Sequence, residues 1–423
     1  MTTTESTSAD VLDNLDWWTR PVAERDALFA ALRARNPRPF VPELDLNGSP
    51  RGGGFWALTK LDDLKEVTRR PDDFCSGKGI NIFDQPPRLK EYRGSIIDMD
   101  NPEHARQRRI VSRGFTARTL EALRDDVVRT AREIIGSVAE KGECDFVTEV
   151  AALLPLRIVN NMMGIPRSHE RFIFEQTNVI MAASDAEYVS DQTPRGVARA
   201  VMSAGQSLAD LLEELANERI KNPTDDLISA LVAARAEENL TPTELSSFFV
   251  LLVGAGNETT RNAISHGLLA LTQFPEQHAR WREDPDTHTA RAVEELVRWS
   301  SPVLHMRRTV TRDGVRLGEQ EFAEGEKVVL WYRSANQDEQ YFTDPTAFDI
   351  TREPNPHVTF GSPGPHHCLG ANLARLELSV AFRTLFELLP DIRSVGEPEF
   401  LRSNFLHGIK HLRAEFTPKA VGR

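Results

Sequence analysis

One cysteine of this 423-residue chain, Cys368, stands where its thiol could do chemistry. It follows a loop rich in glycine and proline, residues 357–367, and a helical pattern begins directly after it at Ala371. A cysteine at a helix N-terminus lies near the positive end of the helix dipole and near free N–H groups, which favour the thiolate. A single thiolate of this kind could ligate iron and donate electron density to it.

A second reactive group interrupts a long apolar helix pattern. Thr241 and Glu244 predict a capping box that starts a helix, and the pattern runs to Phe274. Residues 248–256 are apolar all round, which indicates a buried helix. Glu258 and Thr259 follow directly, and a buried carboxylate beside a hydroxyl could relay protons. The alternative is that the helix leaves the core here and that Glu258 is merely exposed.

Two further pairs have the spacing of neighbours on one helix face. His104 and Arg108 are four residues apart, and Glu295 and Arg298 are three apart. Asn101 is suited to the N-cap of the helix that carries His104, with the following proline in its first turn. Taken alone, each pair is better explained as part of a solvated helix face.

Composition and charge exclude several classes of protein. The formal net charge of -12 argues against general binding to nucleic acid or to anionic membranes. Three widely separated cysteines, Cys75, Cys144 and Cys368, form no disulfide framework and no zinc spacing, so we expect a cytoplasmic protein. The N-terminus does not resemble a signal peptide, and no run of 18 apolar residues predicts a membrane span.

The elements that position these residues are mainly α-helical, with a minor β lobe. Helix patterns cover 12–18, 23–35, 61–69 and most of 120–240, whereas 55–58, 315–317 and 328–331 predict strands. The polar, broken stretch 184–196 is typical of a lid loop. We predict that residues 1–10 are disordered and that the chain, 1–423, forms a single domain with two lobes.

The cysteine loop reads Phe-Gly-x-x-Gly-x-His-x-Cys-x-Gly over residues 360–370 and resembles the haem-binding loop of the cytochrome P450 superfamily. Residues 255–260, Ala-Gly-x-Glu-Thr-Thr, resemble the superfamily's oxygen-activation motif. The resemblance implies the cytochrome P450 fold, with haem b between the long helix and the cysteine loop. It assigns Cys368 as the iron ligand, Phe360 and Gly364 to the haem-binding loop, and Glu258 and Thr259 to proton delivery.

The resemblance also implies a set of cationic and hydrogen-bonding residues at the haem propionates, because buried carboxylates need such partners. This set is His104, Arg108, Arg308, His357 and His366. Arg307 is the alternative to Arg308. Glu295 and Arg298 match the superfamily's Glu-x-x-Arg motif, which pairs with Arg352 and has a structural role.

The stretches 256–264, 297–303, 330–332 and 403–410 are similar to actinobacterial enzymes that hydroxylate terminal methyl groups of methyl-branched lipids. The resemblance implies an apolar substrate pocket formed by Ile96, Ile97, Val253, Gly254, Ala255, Val303, Leu304, Phe405 and Leu406. A larger aliphatic residue is usual at Gly254, so a steroid side-chain hydroxylase is the alternative. Two alternative functions from other classes of protein also fit the sequence. One is a haem protein that does not activate oxygen, such as an isomerase or dehydratase, and the other is a haem sensor.

A monooxygenase of this class implies O2, a ferredoxin and an NAD(P)H-dependent ferredoxin reductase as partners, and we expect a monomer. Arg106, Arg109, Arg113 and Arg118 form a basic run in an acidic protein, near the helix of His104. This run is a candidate docking surface for an acidic ferredoxin; the alternative is an ordinary solvated face.

Overall fold

The computed structural model describes residues 9–43, 53–84, 96–238 and 240–419. Most of these residues are helical, which confirms the predicted mainly α class. The helices are α1 Val22–Arg35, α2 Leu61–Arg69, α3 Glu103–Val111, α4 Ala117–Val138, α5 Leu153–Met163, α6 Glu170–Met181, α7 Pro194–Lys221, α8 Leu227–Glu238, α9 Pro242–Gln273, α10 Pro275–Glu283, α11 Pro285–Ser300, α12 Tyr332–Ala335 and α13 Ala371–Leu388.

Short strands form the minor part of the fold. They are β1 Phe40–Val41, β2 Phe55–Leu58, β3 Phe74–Cys75, β4 Glu143–Asp145, β5 His305–Val310, β6 Val315–Leu317, β7 Gln320–Phe322, β8 Lys327–Trp331, β9 Arg393–Ser394, β10 Glu399–Phe400, β11 Ile409–His411 and β12 Arg413–Glu415. The largest sheet has the order β1-β2-β8-β5-β3, in which only β2 and β8 run parallel. Its apolar side chains pack in two clusters of their own.

The long helix α9 is the centre of the helical part. Thr241 Oγ1 accepts from the Glu244 N–H at 3.2 Å, and the Glu244 carboxylate accepts from the Thr241 N–H at 2.8 Å, so the predicted capping box forms. The helix has 32 residues, which at 1.5 Å per residue is about 48 Å. It contacts α5, α6, α7, α11 and α13, and its apolar residues join the main core. The helix can therefore carry residues through the middle of the molecule.

Some local predictions were wrong. Helix α3 begins at Glu103, and neither Asn101 nor Pro102 caps it with a side chain, because the backbone is already helical at Pro102. The helix predicted over 12–18 is two short 3-10 helices, Ala9–Asp13 and Leu15–Thr19. Ala9 and Asp10 therefore lie in regular structure, and the rest of the predicted disordered segment lies outside the described residues.

The lid prediction falls on the connection between α6 and α7. Residues 182–193 form turns there, and α7 begins at Pro194 with a side-chain cap from Thr193, whose Oγ1 accepts from the Gly196 N–H at 3.1 Å. Among the described residues, no helix is long and apolar enough to cross a membrane. The single-domain assignment stays a prediction.

Candidate active site

A cavity of about 330 Å³ lies between α9 and the cysteine loop. Cys368 faces it from one side, and Ala255 and Thr259 face it from the other. Apolar side chains complete much of the wall, among them Ile96, Ile97, Val303, Phe405 and Leu406. The two reactive groups found in the sequence are therefore brought to one cavity by elements more than 100 residues apart.

The cysteine loop is held by its own backbone and by two arginines. The Cys368 N–H donates to the Phe360 carbonyl at 2.8 Å, and Arg108 Nη2 donates to the His367 carbonyl at 2.6 Å. The guanidinium of Arg375 lies 4.4 Å from the centre of the Phe360 ring. Desolvation by the surrounding protein raises the pKa of the Cys368 thiol, although the side chain is exposed to the open cavity, while the Gly370 N–H and the charges of Arg108 and Arg375 act to lower it. A positive centre at the sulfur would therefore favour the thiolate further.

Four of the five predicted propionate residues line the cavity together: His104, Arg108, Arg308 and His366. The rings of His104 and His366 lie 4.2 Å apart, and His366 Nε2 is 3.0 Å from Ser76 Oγ. Burial and the charges of Arg308, His104 and Arg108 lower the pKa of His366 to about 2. His104 Nε2 is buried with no hydrogen-bond partner in the described part of the chain.

The choice between the two neighbouring arginines is decided by the strand that carries them. On β5, Arg308 turns to the cavity, whereas Arg307 places Nη1 2.6 Å from Asp84 Oδ1. Among the described residues, no carboxylate pairs with Arg108 or Arg308. An anionic group in this part of the cavity would meet two guanidinium groups and a free imidazole nitrogen, which is the requirement of haem propionates.

The acid and the alcohol of α9 differ in what they contact. Thr259 lines the cavity, and its Oγ1 donates to the Ala255 carbonyl at 2.8 Å. Glu258 is fully buried and bonds Arg261, whose Nη1 donates to Asn178 Oδ1 at 2.9 Å. The other carboxylate oxygen of Glu258, Oε1, is buried with no hydrogen-bond partner among the described residues. Because the side chain is buried, the alternative of a merely exposed Glu258 is wrong.

Burial raises the pKa of Glu258, and the charge of Arg261 opposes that shift. A raised pKa favours the protonated carboxyl group, which can donate a proton. Gly256 has a packing role, since a Cβ there would lie 2.9 Å from Val159 Cγ2 on α5. The glycine therefore allows α5 and α9 to approach each other.

Glu295, Arg298 and Arg352, for which the sequence predicted a structural role, form a buried network around the Glu295 carboxylate. Glu295 accepts from Arg298 Nη2 at 2.6 Å and from Arg352 Nε at 3.1 Å, and it is fully buried. The Asp349 N–H and Asn355 Nδ2 also donate to it, at 3.0 and 3.1 Å. The network ties α11 to the segment that leads into the cysteine loop.

Besides Glu258 and the structural residues Glu295, Arg298 and Arg352, five predicted site residues do not line the cavity. Val253 packs in the main core and Gly254 faces Met181 on α6, because the helix period turns both away from the cavity. Leu304, just before β5, packs in the apolar cluster that contains Val329 and Trp331 of β8. His357 lies 2.9 Å from Glu294 rather than in the cavity wall. A Cβ on Gly364, where φ is +143°, would lie 2.4 Å from the Thr68 carbonyl, so this glycine allows a close approach to α2.

Sequence reasoning missed Glu377, which lies on α13 in the cavity wall. Burial raises its pKa to about 8, and one of its oxygens has no partner among the described residues. A carboxylate nine residues after Cys368 in an otherwise apolar helix pattern was the feature of the sequence that could have indicated this residue. Met306 and Tyr332 also line the cavity and were missed. The pairing of β5 with β8 decides which way Met306 points, and Tyr332 begins the short helix that follows β8.

Comparison with known proteins shows the family of this chain. The family model for cytochrome P450 matches residues 53–390. The chain is 47% identical over 410 residues to a Mycobacterium tuberculosis protein named methyl-branched lipid omega-hydroxylase, covering 96% of this chain and 94% of that protein. It is 38% identical over 400 residues to a steroid C26-monooxygenase of Rhodococcus jostii, covering 93% of this chain and 82% of that protein.

A solved structure of a Mycobacterium marinum cytochrome P450 in complex with pseudoionone is similar with a TM-score of 0.91 and 37% identity, covering 98% of this chain and 100% of that one. Fold and site define a protein with a haem–thiolate cofactor, and the residues facing the cavity fit that group. The chain belongs to the cytochrome P450 family and is a monooxygenase, as the sequence predicted.

Proposed function

We propose that this cytochrome P450 hydroxylates a terminal methyl group of a methyl-branched lipid or isoprenoid chain. The observation that carries the proposal is the apolar part of the cavity wall, formed by Ile96, Ile97, Val303, Phe405 and Leu406. Apolar walls bind branched chains in proportion to buried area. The relative named methyl-branched lipid omega-hydroxylase supports the same substrate class.

Attack at a chain end requires steric control, because a primary C–H bond is stronger than its secondary neighbour. Phe405 and Leu406 lie on a turn that bridges to Val303, and all three residues line the cavity. A wall built from two such segments restricts how a chain can lie. We infer that it admits the branched end and keeps internal carbons away from the reacting centre.

The bound cofactor is haem b, which supplies the reductive activation of O2. Cys368 provides the thiolate ligand, while Arg108, Arg308, His104 and His366 neutralise and bond the propionates. Thr259 places a hydroxyl at the cavity, where it can bond a water molecule or dioxygen. Glu258 holds the proton to be delivered, with Arg261 as its partner at rest.

Electrons come from NAD(P)H through a ferredoxin reductase and a ferredoxin that docks near α3. Arg109, Arg113 and Arg118 are exposed there, whereas Arg106 pairs with Glu244. We expect a cytoplasmic monomer with one domain.

Oxidation of a steroid side chain is the second candidate. A relative named steroid C26-monooxygenase favours it. The small size of Gly254 no longer favours the steroid candidate. The residue faces Met181, and a Cβ added there would make only an ordinary contact, at 3.5 Å from Met181 Sδ.

Product analysis separates these candidates. The enzyme is incubated with a ferredoxin system and with farnesol-type isoprenoids, phytanic-type acids or cholestenone, and products are identified by mass spectrometry. We expect terminal alcohols from the branched chains. Products oxidised only at internal carbons, or none from any branched chain, would reject terminal specificity, and turnover of cholestenone alone would establish the steroid candidate.

A further inference from the structure

Charged side chains join residues 182–193, here termed the lid segment, to strand β11. His411 on β11 lies between two carboxylates: Nδ1 is 2.6 Å from Asp145 Oδ2, and Nε2 is 3.1 Å from Glu187 Oε1. Lys410 Nζ lies 2.8 Å from Glu187 and 3.4 Å from Asp185. The reaction proposed above uses none of these residues.

The lid segment covers part of the cavity wall. Ala182 packs with Leu401 and Leu406 in a small apolar cluster, against which Tyr188 and Phe405 also pack. Leu406 and Phe405 also line the cavity. Displacement of the lid segment would therefore loosen the turn that walls the cavity and would ease the passage of ligands.

Other bonds at this contact do not depend on pH near neutrality. Ser184 Oγ donates to the Arg402 carbonyl at 2.6 Å, the Arg402 N–H donates to Asp185 Oδ2 at 3.0 Å, and Arg402 Nη1 donates to the Ser184 carbonyl at 2.9 Å. Histidine is the side chain whose charge changes between about pH 5 and 8. His411 is thus the element of this contact that responds to pH.

A neutral imidazole carries one N–H and can donate to only one of the two carboxylates, whereas the imidazolium donates to both. We propose that His411 is a proton-controlled clasp that holds the lid segment closed when both ring nitrogens are protonated. Loss of one proton removes the His411 contact to Glu187 and leaves Lys410, at 2.8 Å, as the partner of that carboxylate on β11. The Glu187 contact gives way because it is the longer one and because Asp145 is also held by the Leu412 N–H at 3.2 Å.

Charged groups surround the ring on every neighbouring element. Asp145 faces it from β4, Glu187 from the lid segment and Glu399 from β10, where it pairs in register with His411. Glu187, Glu399 and His411 offer polar atoms within 4.8 Å of one another, and Lys410 is the adjacent cation. The carboxylates around the ring favour the imidazolium.

The bond to Asp145 raises the pKa of His411 above its ordinary value of 6.5, against the effect of burial. Arg413 on β12 does not offset this upward shift in the pKa of His411, because its Nη2 donates to Glu143 and Glu415. For a histidine with a raised pKa, the stabilisation is fully present below the ordinary value and is lost as pH rises through the raised value. The clasp therefore holds below about pH 6.5 and weakens as pH rises through the raised pKa of His411.

The test follows ligand binding to the haem-loaded enzyme by stopped flow. The probe is a bulky 1,2,4-triazole that shifts haem absorption and does not itself titrate between pH 5.5 and 8.5. We expect its association and dissociation rates to rise about two- to five-fold from pH 6 to 8.5, the scale of a partly exposed ion pair. The probe need not resemble the natural substrate, so an error in the proposed lipid would leave this result intact.

Two variants remove the clasp from opposite sides. His411→Gln and Glu187→Gln should both give fast rates at every pH, although His411 still titrates in the second. His288→Gln, on α11 and outside the cluster, is the control and should keep the wild-type dependence. The proposal is overturned if wild-type rates do not change with pH, or if either clasp variant keeps the wild-type dependence.

Discussion

At the scale of single residues, surroundings decide which side chains are reactive. Burial raises the pKa of Glu258 and of Glu377, although only the second lines the cavity. Cys144 is buried in β4 and its thiol has a pKa raised to about 12, so it is inert, whereas Cys368 faces the cavity beside Arg108. The same residue type is thus packed in the core in one place and faces the cavity in another, where we propose that it ligates iron.

Replacement of the thiolate should abolish the spectral signature of the family. We expect Cys368→His to lose the red-shifted absorption band of the carbon monoxide adduct of the reduced protein, because the imidazole donates less electron density. Absorption spectra of the reduced, carbon monoxide-treated protein provide the measurement. Cys144→Ser is the matched control and should retain the band; a Cys368→His protein that also retained it would show that the ligand is wrongly assigned.

Loss of the proton relay should separate electron flow from product formation. Thr259→Ala should consume NAD(P)H while releasing hydrogen peroxide instead of hydroxylated product, and Glu258→Gln should slow turnover about 10²-fold. Coupling is measured as product formed per NAD(P)H consumed. Thr272→Ala is a suitable control, since Thr272 on the same helix also bonds the carbonyl four residues earlier, at 3.0 Å. Normal coupling in both relay variants would contradict the assignment.

At the scale of elements, the structure shows why a few segments carry the site. Helix α9 supplies Thr259, the β5 strand supplies Arg308, and the turn at Phe405 supplies the opposite wall. Segment types were largely predictable from local patterns such as the capping box at Thr241. Register was not predictable, because the partner strand β8 decides that Arg308 and not Arg307 faces the cavity.

The Glu295 network should be needed to hold the element that presents Cys368. Glu295→Ala leaves Arg298 buried without its partner, and breaking a buried ion pair in this way costs about 3–5 kcal/mol. We expect a clear fall in melting temperature and loss of haem on gel filtration. Glu353→Ala removes an exposed pair with Arg291 and should change the free energy of unfolding by less than about 1 kcal/mol. Equal stability of the two variants would refute a structural role for the network.

At the scale of the whole molecule, charge distribution bears on electron transfer. The chain has a net charge of -12, yet Arg109, Arg113 and Arg118 are exposed on and after α3. A helix next to the haem-binding residues that also carries exposed cations is suited to steering an acidic partner.

Reduction by an acidic ferredoxin should therefore be faster at low ionic strength. We expect the rate to fall as salt is raised, and Arg118→Glu to lower it further at low salt, because long-range attraction is screened. Stopped-flow reduction in the presence of carbon monoxide measures this rate. Arg171→Glu, an equally exposed change on α6, should have little effect. A rate independent of salt, or equal effects of the two substitutions, would place docking elsewhere.

The sequence by itself determined the class of protein and predicted the reactive residues. Cys368, Glu258 and Thr259 were identifiable because their motifs are local, and so was the capping box of α9. Only the tertiary structure decided what each side chain faces. It turned Val253, Gly254 and Leu304 away from the cavity, brought in Glu377, and set His411 between carboxylates from two distant segments. The physical reason is that burial, packing and pairing of charges depend on residues far apart in the chain, and no local pattern records them.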